Sequence, residues 1–126
     1  TVPRIYKKIR PGSNYKESLN LLKEVKAFDK NIFTKSGIMV GLGEEYTEII
    51  QVLRDMKSVN IDFVTIGQYL QPSIHHENVH KFYSPSEFNQ LYQFCKSLGF
   101  KMVSSSPMTR SSYHADEDFQ KLKAAI

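Results

Sequence analysis

Apolar positions recur along the chain at two spacings, one helical and one strand-like, and the two take turns. Leu19, Leu22 and Val25 repeat at helical spacing, and with Ser13 as a candidate N-cap they predict a helix over residues 14–28. Residues 34–40 (TKSGIMV) read as a buried strand that ends in Gly41-Leu42-Gly43-Glu44, where the glycines mark a turn. Ile49, Ile50, Leu53 and Met56 form one stripe of a second helix over 46–59. Residues 61–67 (IDFVTIG), rich in β-branched and aromatic side chains, read as the next strand. A polar loop covers 68–83. Ser84-Pro85-Ser86-Glu87 is a strong helix start: a cap, a proline at the first helical position, and a glutamate placed for a capping box. That helix turns Phe88, Leu91, Cys95 and Leu98 inward and stops at Gly99. Residues 100–103 give a third strand, followed by a polar tail with a short helix near 119–124.

Helices alternating with strands imply an α/β fold with a parallel sheet and right-handed crossovers. Three strands with helices on one side fit part of a (β/α) TIM-type barrel better than a finished domain, since a full barrel takes about 250 residues. A small open α/β domain is the other solution. In both, the functional site lies at the C-terminal ends of the strands. Three informative segments fall there: Gly41 to Glu44, Gln68 to Pro72 with His75 and His76, and Arg110-Ser111-Ser112-Tyr113-His114.

Composition narrows the choices. With 40% hydrophobic and 24% charged residues the chain is an ordinary globular one, and at 126 residues it is about one domain. The formal charge of +4 comes from basic residues that read as scattered, so a nucleic-acid interface is disfavoured, while an anionic substrate or acidic partner accounts for the excess. No apolar run approaches the roughly 20 residues that span a bilayer, and the start at Thr1 has no signal-peptide layout. The single cysteine, Cys95, allows no intramolecular disulfide and fits a reducing compartment. Its place on the apolar stripe marks it as a core residue rather than a nucleophile.

Taken alone, each rim segment has a modest reading. Gly41 and Gly43 let backbone approach a ligand, and the following helix offers N–H groups to an anion, but the spacing matches neither the dinucleotide fingerprint nor the P-loop. The plain alternative is a strand-to-helix turn. His75 and His76, with His80 and His114, lie in loops without metal-ligand spacing, so contact with a polar or anionic substrate is the better reading. The serines of the terminal segment resemble no triad layout and read as a hydroxyl-rich loop.

Together the segments resemble a known family. Val2-Pro3-Arg4-Ile5-Tyr6 to Arg10-Pro11-Gly12, then Thr34-Lys35-Ser36-Gly37-Ile38-Met39-Val40-Gly41-Leu42-Gly43-Glu44, are similar to lipoyl synthases. So are Gly67-Gln68-Tyr69-Leu70-Gln71-Pro72-Ser73 with His75-His76, and Tyr83-Ser84-Pro85 with Glu87-Phe88. The last block is Arg110-Ser111-Ser112-Tyr113-His114-Ala115-Asp116, and the blocks follow the family's order over nearly the whole chain.

The resemblance implies the C-terminal portion of a partial (β/α) TIM-type barrel over residues 1–104 and a tail over 105–126. It implies a radical S-adenosylmethionine enzyme that inserts sulfur at C6 and C8 of an octanoyl group held on a lipoyl-carrier protein. Such enzymes carry two [4Fe–4S] clusters, one that cleaves S-adenosylmethionine and an auxiliary one that donates sulfur. Gly37, Gly41 and Glu44, in the family's GxIxGxxE motif, and the stretch Tyr69, Leu70 and Gln71 would support the cofactor, with Lys35, Ser36 and Arg10 as further polar contacts. Ser111 or Ser112 would be a ligand of the auxiliary cluster, and His75, His76 and Arg110 would meet substrate. Implied partners are octanoylated carriers (E2 subunits and the glycine cleavage H protein) and an electron donor such as ferredoxin or flavodoxin, in the cytoplasm or the mitochondrial matrix.

The chain departs from the family in one respect: neither cysteine motif is present. It is therefore expected to be inactive alone, either as the cofactor- and substrate-binding half of the enzyme or as a non-catalytic remnant or binding module. Its start at Thr1, within a family motif, suggests a truncated product. A piece of barrel also leaves two sheet edges unpaired, so self-association or order borrowed from neighbours is expected.

Overall fold

The structure, a computed structural model, describes Val2, Pro3 and residues 15–109. Ser13, Arg10, the 110–116 motif and the helix expected near 119–124 lie outside the described residues. Three helices and three strands alternate: α1 (Tyr15–Phe28), β1 (Lys35–Val40), α2 (Tyr46–Ser58), β2 (Phe63–Gln68), α3 (Pro85–Leu98) and β3 (Met102–Ser105). The strands form one open sheet in the order β1-β2-β3, and both pairings are parallel. Within residues 15–109 each helix and strand expected from the periodicity is present, and the shifts are at strand ends.

Those shifts have local causes. Ile61 and Asp62 were expected inside β2 but form the connection into it: Ile61 N–H donates to Met56 O, and Asp62 N–H to Thr34 O. Phe100 was expected in β3 but packs into the core just after the left-handed Gly99, and the ladder to β2 starts when Met102 N–H donates to Asp62 O. An apolar residue at a strand entrance is buried either way, so burial alone misplaces the boundary.

Adjacent parallel strands joined by right-handed crossovers carry both connecting helices on the same face. The core shows which residues meet there: Ile38 and Val40 of β1, Val64 and Ile66 of β2 and Val103 of β3, with Ile49, Val52, Leu53 and Met56 of α2 and Phe88, Leu91 and Cys95 of α3. In α2 the stripe is wider than its sequence suggested, because Val52 is buried and Ile50 is half-buried. Tyr15, Leu19 and Leu22 bring α1 onto the same cluster, and the Tyr15 hydroxyl donates to Asp55 Oδ2 on α2 at 2.8 Å.

The start of α3 is built as its sequence implies. Ser84 Oγ accepts from Glu87 N–H at 3.1 Å, the Glu87 carboxylate accepts from Ser84 N–H at 3.1 Å, and Pro85 occupies the first turn. At the other end of the sheet, buried Asp62 accepts from Thr34 N–H at 2.9 Å and pairs with Lys26 at 2.6 Å and Lys101 at 3.4 Å. Burial by itself would raise the Asp62 carboxyl, but the Lys26 ammonium, the Thr34 amide and Lys101 outweigh it and hold the group below its ordinary value.

Two tests follow from this packing. Phe88→Ala should remove about 3–5 kcal/mol of stability, read as a fall in the urea midpoint at constant slope. Asp62 binds its proton less tightly folded than unfolded. Its contribution is therefore complete above the unfolded carboxylate range near pH 4 and fades as pH falls through the lower folded value. Asp62→Asn should cost about 3 kcal/mol at pH 7 and flatten the stability loss measured below pH 4.

Candidate functional site

The C-terminal ends of β1 and β2 carry the rim. Val40 leads into Gly41-Leu42-Gly43-Glu44, and Gln68 leads into a long loop that returns to the same place. The return is secured by the buried side chain of Gln68. Its Nε2 donates to Tyr69 O at 3.0 Å and Lys81 O at 2.9 Å, and its Oε1 accepts from Tyr83 N–H at 2.9 Å. Backbone bonds complete the junction: Tyr69 N–H to Val40 O at 2.8 Å, and His80 N–H to Gly41 O at 2.7 Å. Two of the three segments singled out in the sequence are thus physically joined, and the third lies outside the described residues.

The glycines are demanded by this junction. Gly41 has φ 107°, and a Cβ there would overlap the Gln68 amide and Lys81 O. Gly43 has φ 100° and stands beside the His80 ring. Glu44 folds back into the turn, and its Oε1 accepts from Gly41 N–H at 2.7 Å and Leu42 N–H at 3.3 Å. Its other oxygen, Oε2, is buried without a hydrogen-bond partner. Burial first, and then the charge of Glu44, push the Tyr83 hydroxyl up to about 12.

Of the two readings of the glycine turn, the geometry matches the plain strand-to-helix turn, with the chain's own carboxylates on its amides. Glu44 takes the turn amides, and Glu48 Oε1 accepts from Glu45 N–H at 2.9 Å. A second anion would meet three glutamates.

The remaining predicted residues divide between the rim and elsewhere. Tyr69 is half-buried, with its hydroxyl donating to Glu77 O at 2.7 Å, while Leu70 and Gln71 are exposed on the loop, Gln71 Nε2 donating to His76 O at 3.0 Å. His75 and His76 are exposed and close a tight turn on Ser73, whose Oγ accepts from His75 N–H at 3.2 Å and bonds His76 Nδ1 at 2.8 Å. Among the described residues no three His, Cys, Asp or Glu side chains gather as metal ligands. Lys35 and Ser36 sit at the start of β1, about 16 Å from the rim along the strand. The Lys35 ammonium lies over the Phe63 ring at 4.8 Å. Gly37 lies midway, on the sheet face away from the core, in a row with Thr65 and Ser104, and a Cβ at 37 would overlap the Thr65 hydroxyl.

Cys95 is wholly enclosed, and burial pushes its thiol up to about 12, which fits the core role and not a nucleophile. Two features escaped the sequence reading. Gln68 looked like one polar residue among many, and only the geometry shows it as the tie between the end of β2 and the returning loop. The lysines that read as scattered converge: Lys26, Lys30, Lys57 and Lys101 line one cleft at the N-terminal ends of the strands. A scan against models of protein families finds none that matches the chain.

Gln68→Leu should release the loop, because it strands Tyr83 N–H and Lys81 O without partners at about 1–3 kcal/mol each. Amide hydrogen exchange should accelerate at Tyr83 and His80 while the α2 amides keep their protection. Unchanged exchange at Tyr83 would show that the amide tie does not hold the loop.

Proposed function

We propose that this chain is the C-terminal portion of a lipoyl synthase and that the joined rim is where S-adenosylmethionine is supported. The observation that carries the reading is the junction itself. The two segments resembling the family's cofactor motifs, 37–44 and 67–73, are 23 positions or more apart in sequence and are joined by the β1–β2 ladder and by Tyr69 N–H donating to Val40 O at the C-terminal ends of parallel strands. On this reading the open three-stranded sheet is a section of a (β/α) barrel. The face bearing Gly37, Thr65 and Ser104, with Phe63, Met39 and Met102 in the neighbouring rows, is then the barrel interior.

The residues present suit the nucleoside end of S-adenosylmethionine better than its chemistry. Exposed Gly43 and the exposed Leu70 and Gln71 allow close approach at the rim. A bound S-adenosylmethionine would supply the radical precursor; the rim's part is to hold and orient it. The iron–sulfur clusters do not fit the residues of this chain. A cluster is held by several thiolates, and the only thiol, Cys95, is sealed in the core. The cluster cysteines would belong to an N-terminal portion, and Ser111 or Ser112 would add one ligand from the tail. Octanoylated E2 subunits or the glycine cleavage H protein would be the substrates, ferredoxin or flavodoxin the electron donor, and the bacterial cytoplasm or the mitochondrial matrix the setting. No helix among the described residues is long and apolar enough to cross a membrane.

The test compares the chain with the native gene product, each reconstituted anaerobically with iron and sulfide and given S-adenosylmethionine, reductant and octanoylated carrier. The native product should form 5′-deoxyadenosine and lipoyl groups, and the chain alone neither. Of Ser111→Ala and Ser112→Ala in the native product, one should retain S-adenosylmethionine cleavage while losing sulfur insertion. A native product that forms no 5′-deoxyadenosine would leave the rim as a binding surface without radical chemistry and overturn the proposal.

A further inference from the structure

The lysine cleft lies at the opposite end of the sheet from the rim and does not depend on the lipoyl synthase reading. Lys26 and Lys30 come from the end of α1 and the turn after it, Lys57 from the last turn of α2, and Lys101 from the entrance to β3. They surround a cavity of about 280 Å³ whose single carboxylate is Asp62. That carboxylate is already committed. Oδ2 holds Lys26 and the Thr34 amide, and Oδ1 holds Lys101 at 3.4 Å.

Part of the positive charge has a structural purpose. Helices α1, α2 and α3 all end around this cleft, and each helix C-terminus presents about half a negative charge. Lys57 answers one directly, its ammonium donating to Gly99 O at 3.2 Å beyond the end of α3, and Lys26 reaches Lys30 O at 3.5 Å. Setting three helix ends and Asp62 against four ammonium groups leaves roughly one and a half positive charges in excess. Lys57 and Lys101 also lie over the Phe100 and Phe33 rings at 5.8 and 5.6 Å, but each ammonium has three donors, so these contacts leave donors able to turn into the cleft.

We propose that this cleft binds a small multivalent oxyanion of the diphosphate class. Lysine is a point-charge binder of phosphate oxygens, and lysines supplied by three separate segments suit an anion with several oxygens that can bridge them. A single-charged anion such as chloride would satisfy the excess charge without linking the segments. An open cleft of about 280 Å³ has room for a diphosphate.

Isothermal titration calorimetry of the 126-residue chain with inorganic diphosphate, at fixed ionic strength, reads the site. One saturable event is expected, with orthophosphate weaker than diphosphate. The Lys30→Ala/Lys57→Ala double variant should weaken diphosphate by about fivefold or more, and Lys23→Ala, exposed on α1 outside the cleft, should change it less than twofold. Circular dichroism melts confirm that each variant is folded, and Lys30→Ala alone serves if the double variant is not. ADP is the second ligand: equal affinity supports recognition of the oxyanion itself, whereas ADP binding without diphosphate binding overturns it. No saturable heat, or equal weakening by Lys23→Ala, also overturns the proposal.

Discussion

Burial of β2 on both faces is the constraint from which the rest of the architecture follows. All six of its residues, Phe63 to Gln68, are shielded from solvent, so a one-residue shift of register would exchange two buried faces. A slip of one residue would bring Phe63, Thr65 and Gly67 against the helices in place of Val64, Ile66 and Gln68. The neighbours enforce the same choice. Ile38 stands opposite Ile66 and Gly37 opposite Thr65, where the absence of a side chain at 37 makes room for the threonine hydroxyl. Helices α2 and α3 then pack over a surface whose pattern is already set, and the crossover handedness places them together.

The rim inherits its precision from the last residue of that strand. Gln68 belongs to the core-facing set, yet its position beyond Ile66 puts its amide level with the returning loop. A buried amide must find partners for its donors and its acceptor, and the loop backbone at Tyr69, Lys81 and Tyr83 supplies them. The cost of leaving those groups unpaired converts a sixteen-residue excursion into one anchored at both ends. Glu44 performs the matching task on the glycine turn. Its carboxylate is sealed beneath the turn, with Oε1 on the Gly41 and Leu42 amides, so the turn is held firmly.

Periodicity made most of the fold legible in advance. The apolar stripes of α2 and α3, the Ser84-Pro85-Ser86-Glu87 start and the β-branched run at 63–66 all encode local physics that a linear reading captures. What eluded it was decided by partners distant in sequence. Phe100 looked like strand and is a buried turn residue, because the ladder with Asp62 begins only at Met102. At the glycine turn two readings stood open, and the choice is made by the glutamates that follow Gly43, whose carboxylates take the amides and whose side-chain direction has no signature in spacing. Lys35 and Ser36 read as part of one motif with Gly41, yet a strand separates them from the rim by its full length.

Charge is the clearest case of information that exists only after folding. Parallel β/α units aim every connecting helix the same way, so helix N-termini collect at the rim and C-termini at the opposite end. The sequence follows that polarity one helix at a time: Glu48 and Glu87 stand in first turns, Lys26, Lys57 and Lys96 in last turns. Each placement looks like routine capping along the chain. Summed over three helices brought side by side, the same rule produces an acidic rim and a basic base. It accounts for Lys26 and Lys57, two of the four lysines that appear dispersed through 76 positions of sequence and share one cleft. Helix capping alone calls for fewer positive charges than are present there, since Lys101 belongs to no helix and Lys30 lies beyond the end of α1. Those two residues distinguish a surface that merely neutralises helix ends from one that holds charge in reserve for a ligand.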